Sequence, residues 1–520
     1  MTLAVALEAL ESTDYGERFE AAMALVDRTA DGLDDSLREM LEGKAAARSS
    51  GVRSAIEYVL WKRSGAPMPP GKATSKPQIN FLVISLDTLR PDHLGCYGYD
   101  RDTSPFIDEF ASKGTVFDQA FTTAPWTLPA HMSMFTSLYP SFHKLDRGNF
   151  VGSAHVDESE ALLAEELAAA GYRTAGFVSH PYLAGEWGYA RGFDLYHDAT
   201  MLAVHQTRRT LQWMEWHRFH RNRGTAPAKF FLFLHYLDAH EPYGAPSPHG
   251  EMFVRDYKGA LQPQDYMVTL FSDKEFENEE DFRYVIGLYD GEVHFLDANL
   301  GKIFRGLETF GFDGDTMVVV TSDHGEEFKD HGTMGHWHSL YDSELRVPLI
   351  VRYPPGGAGG RRVDYPVNLL DLFPTILELA GRKPVPERLQ GVSLVPFLVA
   401  QGGGTLPGTR DLFAEFGPGD VEWEQDYFQR AIRSGRYKLI VTWHQDGRVQ
   451  RELYDLVADP GEQENVIDTA PPDRVHELQQ RLDRFLKSGN EYHPEFREKN
   501  SLDLQEQIRK HIESLGYVPG

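Results

Sequence analysis

The sequence predicts an α/β protein: a mostly parallel sheet covered by helices on both faces, a smaller antiparallel C-terminal sheet, and a helical N-terminal extension. Three observations carry this expectation. Continuous apolar runs such as "INFLVISLD" (79–87) end in polar residues, as strands buried on both faces do. Segments with helical spacing separate those runs, the order that builds parallel strands. From about residue 385 the text changes to short strands joined by turns.

Residues 1–65 carry helical patterning, with Phe19, Met23, Leu25 and Val26 set among charged residues. They read as an extension docked on the main body or on a partner subunit, which leaves a homo-oligomer through these helices open. The Pro/Gly/Lys-rich stretch 66–78 reads as a linker. Residues 79–384 form the main domain. Its helical text at 158–171 leads to the strand "YRTAGFVSH" (172–180), and "KFFLFLHYLDAHEPY" (229–243) follows as another strand. The long helix 281–311 precedes the strand "TMVVVTSDHGEEF" (316–328), and "RVPLIVRYP" (346–354) is one more strand. Residues 385–520 form the C-terminal subdomain. Its segment 427–466 reads as two strands joined at "QDG", and a charged helix closes the chain.

Composition narrows the function classes. With 41% hydrophobic residues and 12% aromatics the chain is globular. A net charge of −26 argues against wrapping a nucleic acid. It leaves room for a small anion, because local cations and a metal outweigh a global field. A single cysteine, Cys96, excludes an intrachain disulfide framework. Glu8 and Glu11 interrupt the apolar text at the N-terminus, and no stretch reaches the length of a spanning helix. The expectation is a soluble cytoplasmic protein without a membrane partner.

In open α/β sheets ligands sit at the carboxyl ends of strands. Asp87, His180, Asp238, His240, Asp323 and His324 all fall where strands end. Asp323 and His324 taken alone are equally a helix cap with its neighbour and two ligands of one ion. Asp87 meeting that pair at the strand tips would give three ligands with an open position, as a catalytic metal requires. Carboxylate plus imidazole suits Zn²⁺ or Mn²⁺. In "PWTLPAHMSMFTS" (125–137), Thr127 precedes a proline in a helix's first turn, the ordinary setting of a cap. The same position places a hydroxyl in a field that favours negative charge, where a nearby metal would make it a nucleophile. "HYLDAHEPY" and "DHGTMGHWHSLYDSE" hold His235, Asp238, His240, His331, His336 and His338 in loop-like text. Such histidines bind a metal when neutral, and hold an anion or protonate a leaving alkoxide when charged. His131 lies one helical turn after Thr127 on the same side. Lys144 and Arg147 offer cationic contacts, or equally a solvated face.

Taken together, "LDTLRPDHLGCYGY", "TLPAHMSMFTSLYPSFH", "GYRTAGFVSHPYLAGEWGYARGFD", "HYLDAHEPY", "LYDGEVHFLD", "TSDHGEEFKDHGTMGHWHSLYDSELRVPLIV" and "GRYKLIV…ELYDLVADPGE" resemble the sulfatase branch of the alkaline phosphatase superfamily over residues 79 to 466. The resemblance implies a doubly wound, alkaline phosphatase-like core with a small C-terminal α+β subdomain. By motif position it implies metal ligands Asp87, Thr127, Asp323 and His324, with His240 contacting the transferred group or leaving oxygen. His336 and His338 flank the place where sulfatases carry a lysine, and His131, His180 and Lys144 remain as substrate contacts. One ion is favoured over two. A second ion would use Asp238, His240 and one of His336 or His338.

Two departures from the family pattern bear on chemistry. Sulfatases head a C/S-x-P-x-R motif with a residue matured to formylglycine; here Thr127 heads it and His131 replaces the arginine. Oxidising a secondary alcohol gives a ketone, so formylglycine is excluded. A threonine nucleophile resembles instead the phosphodiesterases, phosphonate hydrolases and phosphoglycerol transferases of the superfamily. Thr88 replaces a second carboxylate after Asp87, which disfavours Ca²⁺. The expectation is therefore a metal-dependent hydrolase of a phosphodiester, phosphonate ester or related small anionic ester. The alternatives are a sulfatase without formylglycine and a non-catalytic metal- or anion-binding relative. Loops 244–280 and 401–426 are expected to set the organic half of the substrate.

Overall fold

The computed structural model describes residues 1–26, 28, 33–35, 37, 50–71, 79–145, 156, 158–259, 261, 279–357, 359–382, 389–399, 410–417, 427–444 and 446–492. Most of linker 66–78, parts of loops 244–280 and 401–426, and Arg147 lie outside them.

The main sheet has eight strands: β1 (Asn80–Leu86), β2 (Thr115–Phe117), β3 (Arg173–Phe177), β4 (Leu195–His197), β5 (Phe230–Tyr236), β6 (Thr316–Thr321), β7 (Leu349–Arg352) and β8 (Arg361–Val363). Their order is β8-β2-β7-β6-β1-β5-β3-β4. All run in one direction except β7, which pairs antiparallel with β6 and β2. β1 lies between β5 on one side and β6 on the other, and the carboxyl ends of these three strands border the crevice where such sheets bind ligands.

The period-two pattern of the central strands sends alternate residues to two cores. Leu82, Ile84 and Leu86 join Leu232, Leu234, Val318 and Val320 on one face. Phe81 and Val83 join Phe231, Phe233, Met317 and Val319 on the other. On this second face the next position of each strand is polar: Ser85, His235 and Thr321, which are register partners across the sheet. A polar row thus ends the apolar face at the carboxyl edge, and the buried helix Thr127–Thr136 covers it.

The N-terminal helices Leu3–Ala9, Tyr15–Val26 and Ser50–Ser64 pack on this chain's own body. Phe19 and Tyr58 set their rings 5.9 and 4.8 Å from Trp216 on the helix Ala203–Arg223. Of the two docking options the sequence leaves open, the apolar faces of these helices take the main body.

The C-terminal sheet has four antiparallel strands, β9 (Asp411–Phe416), β10 (Tyr427–Ser434), β11 (Tyr437–His444) and β12 (Val449–Asp455), closed by the helix Pro472–Tyr492. The sequence suggests two strands in 427–466, but the structure has three. Gly435, at φ +58°, supplies the left-handed residue of a two-residue turn between β10 and β11, a hairpin signal in the text "SGRY". A buried ionic network ties this sheet to the main domain. Lys438 on β11 lies 2.7 Å from Asp342 and 2.8 Å from Glu462, and Arg433 on β10 also binds Asp342.

Candidate active site

Three strand ends and one helix start converge. Asp87 directly follows β1, and its backbone N–H donates to Tyr236 O at the end of β5 (2.9 Å). Asp323 and His324 follow β6 and are wholly buried. The His324 Nδ1–H donates to Gly325 O (2.9 Å), which turns Nε2 toward the carboxylates. Thr127 opens the helix Thr127–Thr136 as its first residue. The cap is Trp126, so the Thr127 hydroxyl caps nothing and lies 3.4 Å from His324 Nε2.

The same His324 nitrogen is 3.5 Å from Asp87 Oδ1 and 3.5 Å from Asp323 Oδ2. A tetrahedral site with metal–ligand distances of about 2.1 Å has donor–donor edges of about 3.4 Å. Both Asp87 oxygens and Asp323 Oδ2 are buried without a hydrogen-bond partner, an arrangement costly unless something cationic satisfies them. Burial raises the Asp87 pKa, partly offset by His240 and His324. The donor set and its spacing fit a divalent cation.

The loop after Asp87 is held under strain. Thr88 adopts φ +54°, its hydroxyl donates to Ala239 O (2.8 Å), and its carbonyl accepts from Tyr289 OH (3.0 Å). Arg90, buried, donates to Glu326 O (2.9 Å) and pairs with Asp330 (2.6 Å), clamping this loop to the one after β6.

Histidines make up the rest of the site. His131 lies behind Thr127: Nδ1–H donates to Thr127 O (2.9 Å), Nε2 bonds Ser85 Oγ (3.0 Å), and burial lowers its pKa to about 4. His180 accepts from Tyr182 N at Nδ1 and sets Nε2 4.0 Å from Asp87 Oδ2; burial and His240 keep it neutral. His240 and His336 face each other with ring centroids 4.9 Å apart. Burial pushes His240 down, but Glu241 and Asp87 outweigh it and its pKa is raised. Burial holds His336 well below its ordinary pKa, with Glu326 Oε1 3.0 Å from its Nδ1. His240, Glu241 and His336 form a second group whose ligand atoms converge within 4.8 Å.

Three residues expected at the site lie outside the converging groups. Asp238 accepts from Ala203 N (2.9 Å) at the start of the helix Ala203–Arg223, because the turn after β5 points it sideways, so it does not join His240. His338 is half-buried and lies outside the converging groups; its backbone N–H bonds Glu344 and its carbonyl accepts from Tyr427 OH (2.6 Å). Lys144 donates to Gly489 O (3.1 Å) and so faces the closing helix. Sequence reasoning missed Glu241, Glu326 and Glu344. His235 stands in the histidine-bearing segment "HYLDAHEPY" with only the general metal- or anion-binding role those histidines share. Only Glu241 carried a signal, as the neighbour of His240.

The profile of the sulfatase family matches residues 79–382, more than half of the chain. The chain belongs to the sulfatase family. A second family profile, N-sulphoglucosamine sulphohydrolase C-terminal, matches residues 330–489. The chain is 25% identical to the uncharacterized sulfatase YidJ of Escherichia coli (strain K12), covering 75% of this chain and 83% of that protein. It is 26% identical to arylsulfatase K of Gallus gallus, covering 81% of this chain and 84% of the relative. The phosphonate monoester hydrolase of Agrobacterium radiobacter shares the fold, with a TM-score of 0.62 at 22% identity over 80% of this chain and 96% of that one. As a sulfatase-family hydrolase the chain has the mostly parallel α/β core and the C-terminal antiparallel sheet expected of it. The family generally uses a divalent metal, and the described residues contain three groups able to hold one. Among the described residues no helix is long and apolar enough to cross a membrane.

Proposed function

We infer that this sulfatase-family hydrolase cleaves a phosphodiester, phosphonate ester or related small anionic ester with Thr127 as nucleophile. The observation that carries this reading is the Thr127 hydroxyl at the start of a buried helix, 3.4 Å from His324 and beside the unpartnered Asp87 and Asp323 oxygens. Asp87, Thr127, Asp323 and His324 would hold one divalent cation, Zn²⁺ or Mn²⁺, which when bound favours the alkoxide and offsets phosphoryl charge. Thr127 Oγ1 attacks phosphorus in line with the leaving oxygen, and the N-terminus of its helix favours the negative charge gathering there. His240, bonded through Nδ1 to Glu241 O (2.7 Å) with the Glu241 carboxylate favouring its charged form, donates a proton to the leaving alkoxide. In the second half-reaction the neutral His240 takes a proton from water as its oxygen attacks phosphorus, and the P–Oγ1 bond breaks to release Thr127. His131, neutral and bonded to Thr127 O, fixes the first turn of the helix.

Arylsulfatase K supplies the second reading by its name, a sulfate ester as substrate. Paired assays of the Mn²⁺- and Zn²⁺-loaded enzyme on a bis-aryl phosphate, an aryl phosphonate monoester and an aryl sulfate separate the two. The expected result is preference for a phosphorus ester by at least tenfold in kcat/KM; preference for the sulfate ester would refute the phosphorus reading.

A further inference from the structure

Asp87 presents its two oxygens to different neighbours. Oδ1 lies 3.5 Å from His324 Nε2, while Oδ2 lies 3.2 Å from His235 Nε2. His235 is the next-to-last residue of β5 and wholly buried, and neither of its ring nitrogens has a hydrogen-bond partner. A buried imidazole left in that condition is costly. Strand register explains its place. His235 is the partner of Ser85, so it stands on the sheet face that the helix Thr127–Thr136 covers, beneath the Asp87–Asp323–His324 cluster. Its ligand atoms converge with those of His131 and Asp323 within 4.8 Å. Both His131 nitrogens are already engaged, with Thr127 O and Ser85 Oγ.

The residue after Asp87 offers no oxygen to this cluster. Thr88 turns away at φ +54° and gives its hydroxyl to Ala239 O. An additional donor on the Oδ2 side of Asp87 therefore has to come from another element, and of the two imidazoles beside that oxygen His235 is the nearer, at 3.2 Å against 4.0 Å for His180. A neutral imidazole is a good ligand for Mn²⁺ or Zn²⁺.

We propose that His235 is a further ligand of the cation held by Asp87, Thr127, Asp323 and His324, contributing Nε2 where Thr88 contributes nothing. This rests on the metal centre described under Proposed function. The competing role is hydrogen-bond donation to Asp87 Oδ2 without a bond to the ion.

Pulsed EPR on the full-length protein loaded with Mn²⁺ alone, with and without ¹⁵N-histidine labelling, counts directly bound imidazoles. The expected count is two in the unaltered protein, falling to one in His235→Ala, with Mn²⁺ binding weakened at least tenfold. Circular dichroism and thermal melts of the metal-free variant check its fold. A single imidazole in the unaltered protein overturns the proposal whatever the variant does. Two imidazoles that survive in a folded His235→Ala also overturn it, since another histidine then supplies the second. Failure to bind Mn²⁺ or Zn²⁺ at all overturns the metal centre itself, an outcome distinct from either of these.

Discussion

Glu344 holds the histidine loop in place, and removing it tests whether that loop is preset for catalysis. The carboxylate is wholly buried. Oε2 accepts from Trp337 N (2.8 Å) and His338 N (3.3 Å), and Oε1 accepts from Ser339 Oγ (2.6 Å). Between them Trp337 sits at φ +76°, a left-handed conformation costing a non-glycine residue about 1–2 kcal/mol. Each hydrogen bond contributes about 1 kcal/mol, so Glu344→Ala withdraws about 3 kcal/mol of restraint from residues 336–339. If that restraint keeps His336 beside His240, the competent population falls by about 100-fold, and kcat/KM with it. Glu344→Gln can keep an amide oxygen on the two backbone N–H groups while its N–H donates to Ser339 Oγ, and should stay within a few-fold of the parent. The assay is steady-state hydrolysis of the preferred ester, with metal content measured by elemental analysis. Metal content should be unchanged in both variants, because the Glu344 carboxylate bonds Trp337, His338 and Ser339 and not the residues that would hold the ion. Parental kcat/KM in a folded Glu344→Ala would show that the loop needs no such anchor.

Thr127→Ala should lower turnover by at least about 10³-fold, as loss of a nucleophile does, and should abolish acid-stable phosphothreonine in quenched reactions; a variant turning over at a tenth of the parental rate would exclude covalent catalysis at this residue. Chelation should remove activity and lower the melting temperature, both restored by Mn²⁺ or Zn²⁺. At 100 times the dissociation constant, binding adds about 2.7 kcal/mol of stability, and a melting temperature indifferent to metal would contradict a site of this kind. Burial raises the Glu292 pKa to about 8, so between the ordinary carboxyl pKa and 8 the folded chain binds the extra proton and stability falls as pH rises. Glu292→Gln should flatten that decline in melts from pH 5 to 9, and an unchanged slope would mean that the carboxyl titrates normally.

Much of this site is visible in the text because its residues stand where apolar runs stop. "LVISLD" and "VVVTSDH" announce Asp87, Asp323 and His324 as strand-end groups, and parallel pairing brings such ends to one edge. Thr127 is legible as the start of a helix; that its hydroxyl turns to His324 instead of capping is not, since both follow from the same local pattern. Glu326 and Glu344 are hidden for another reason. Charged residues in loop-like text read as solvated, and their burial depends on Arg90, Tyr243 and the C-terminal sheet closing over them. Asp238 misleads in the opposite direction: its spacing from His240 suits a shared ion, but the turn after β5 delivers it to a helix start.

By itself the sequence determined the layers, the strand-end carboxylates and a hydroxyl that cannot become formylglycine, because hydrophobic period and side-chain chemistry are local properties. The tertiary structure decided which histidines converge. Strand register set His235 under Asp87, strained turns aimed Thr88 and Trp337, and the buried Glu344 carboxylate held the loop of His336. Those choices depend on contacts between residues far apart in the chain, which no local pattern encodes.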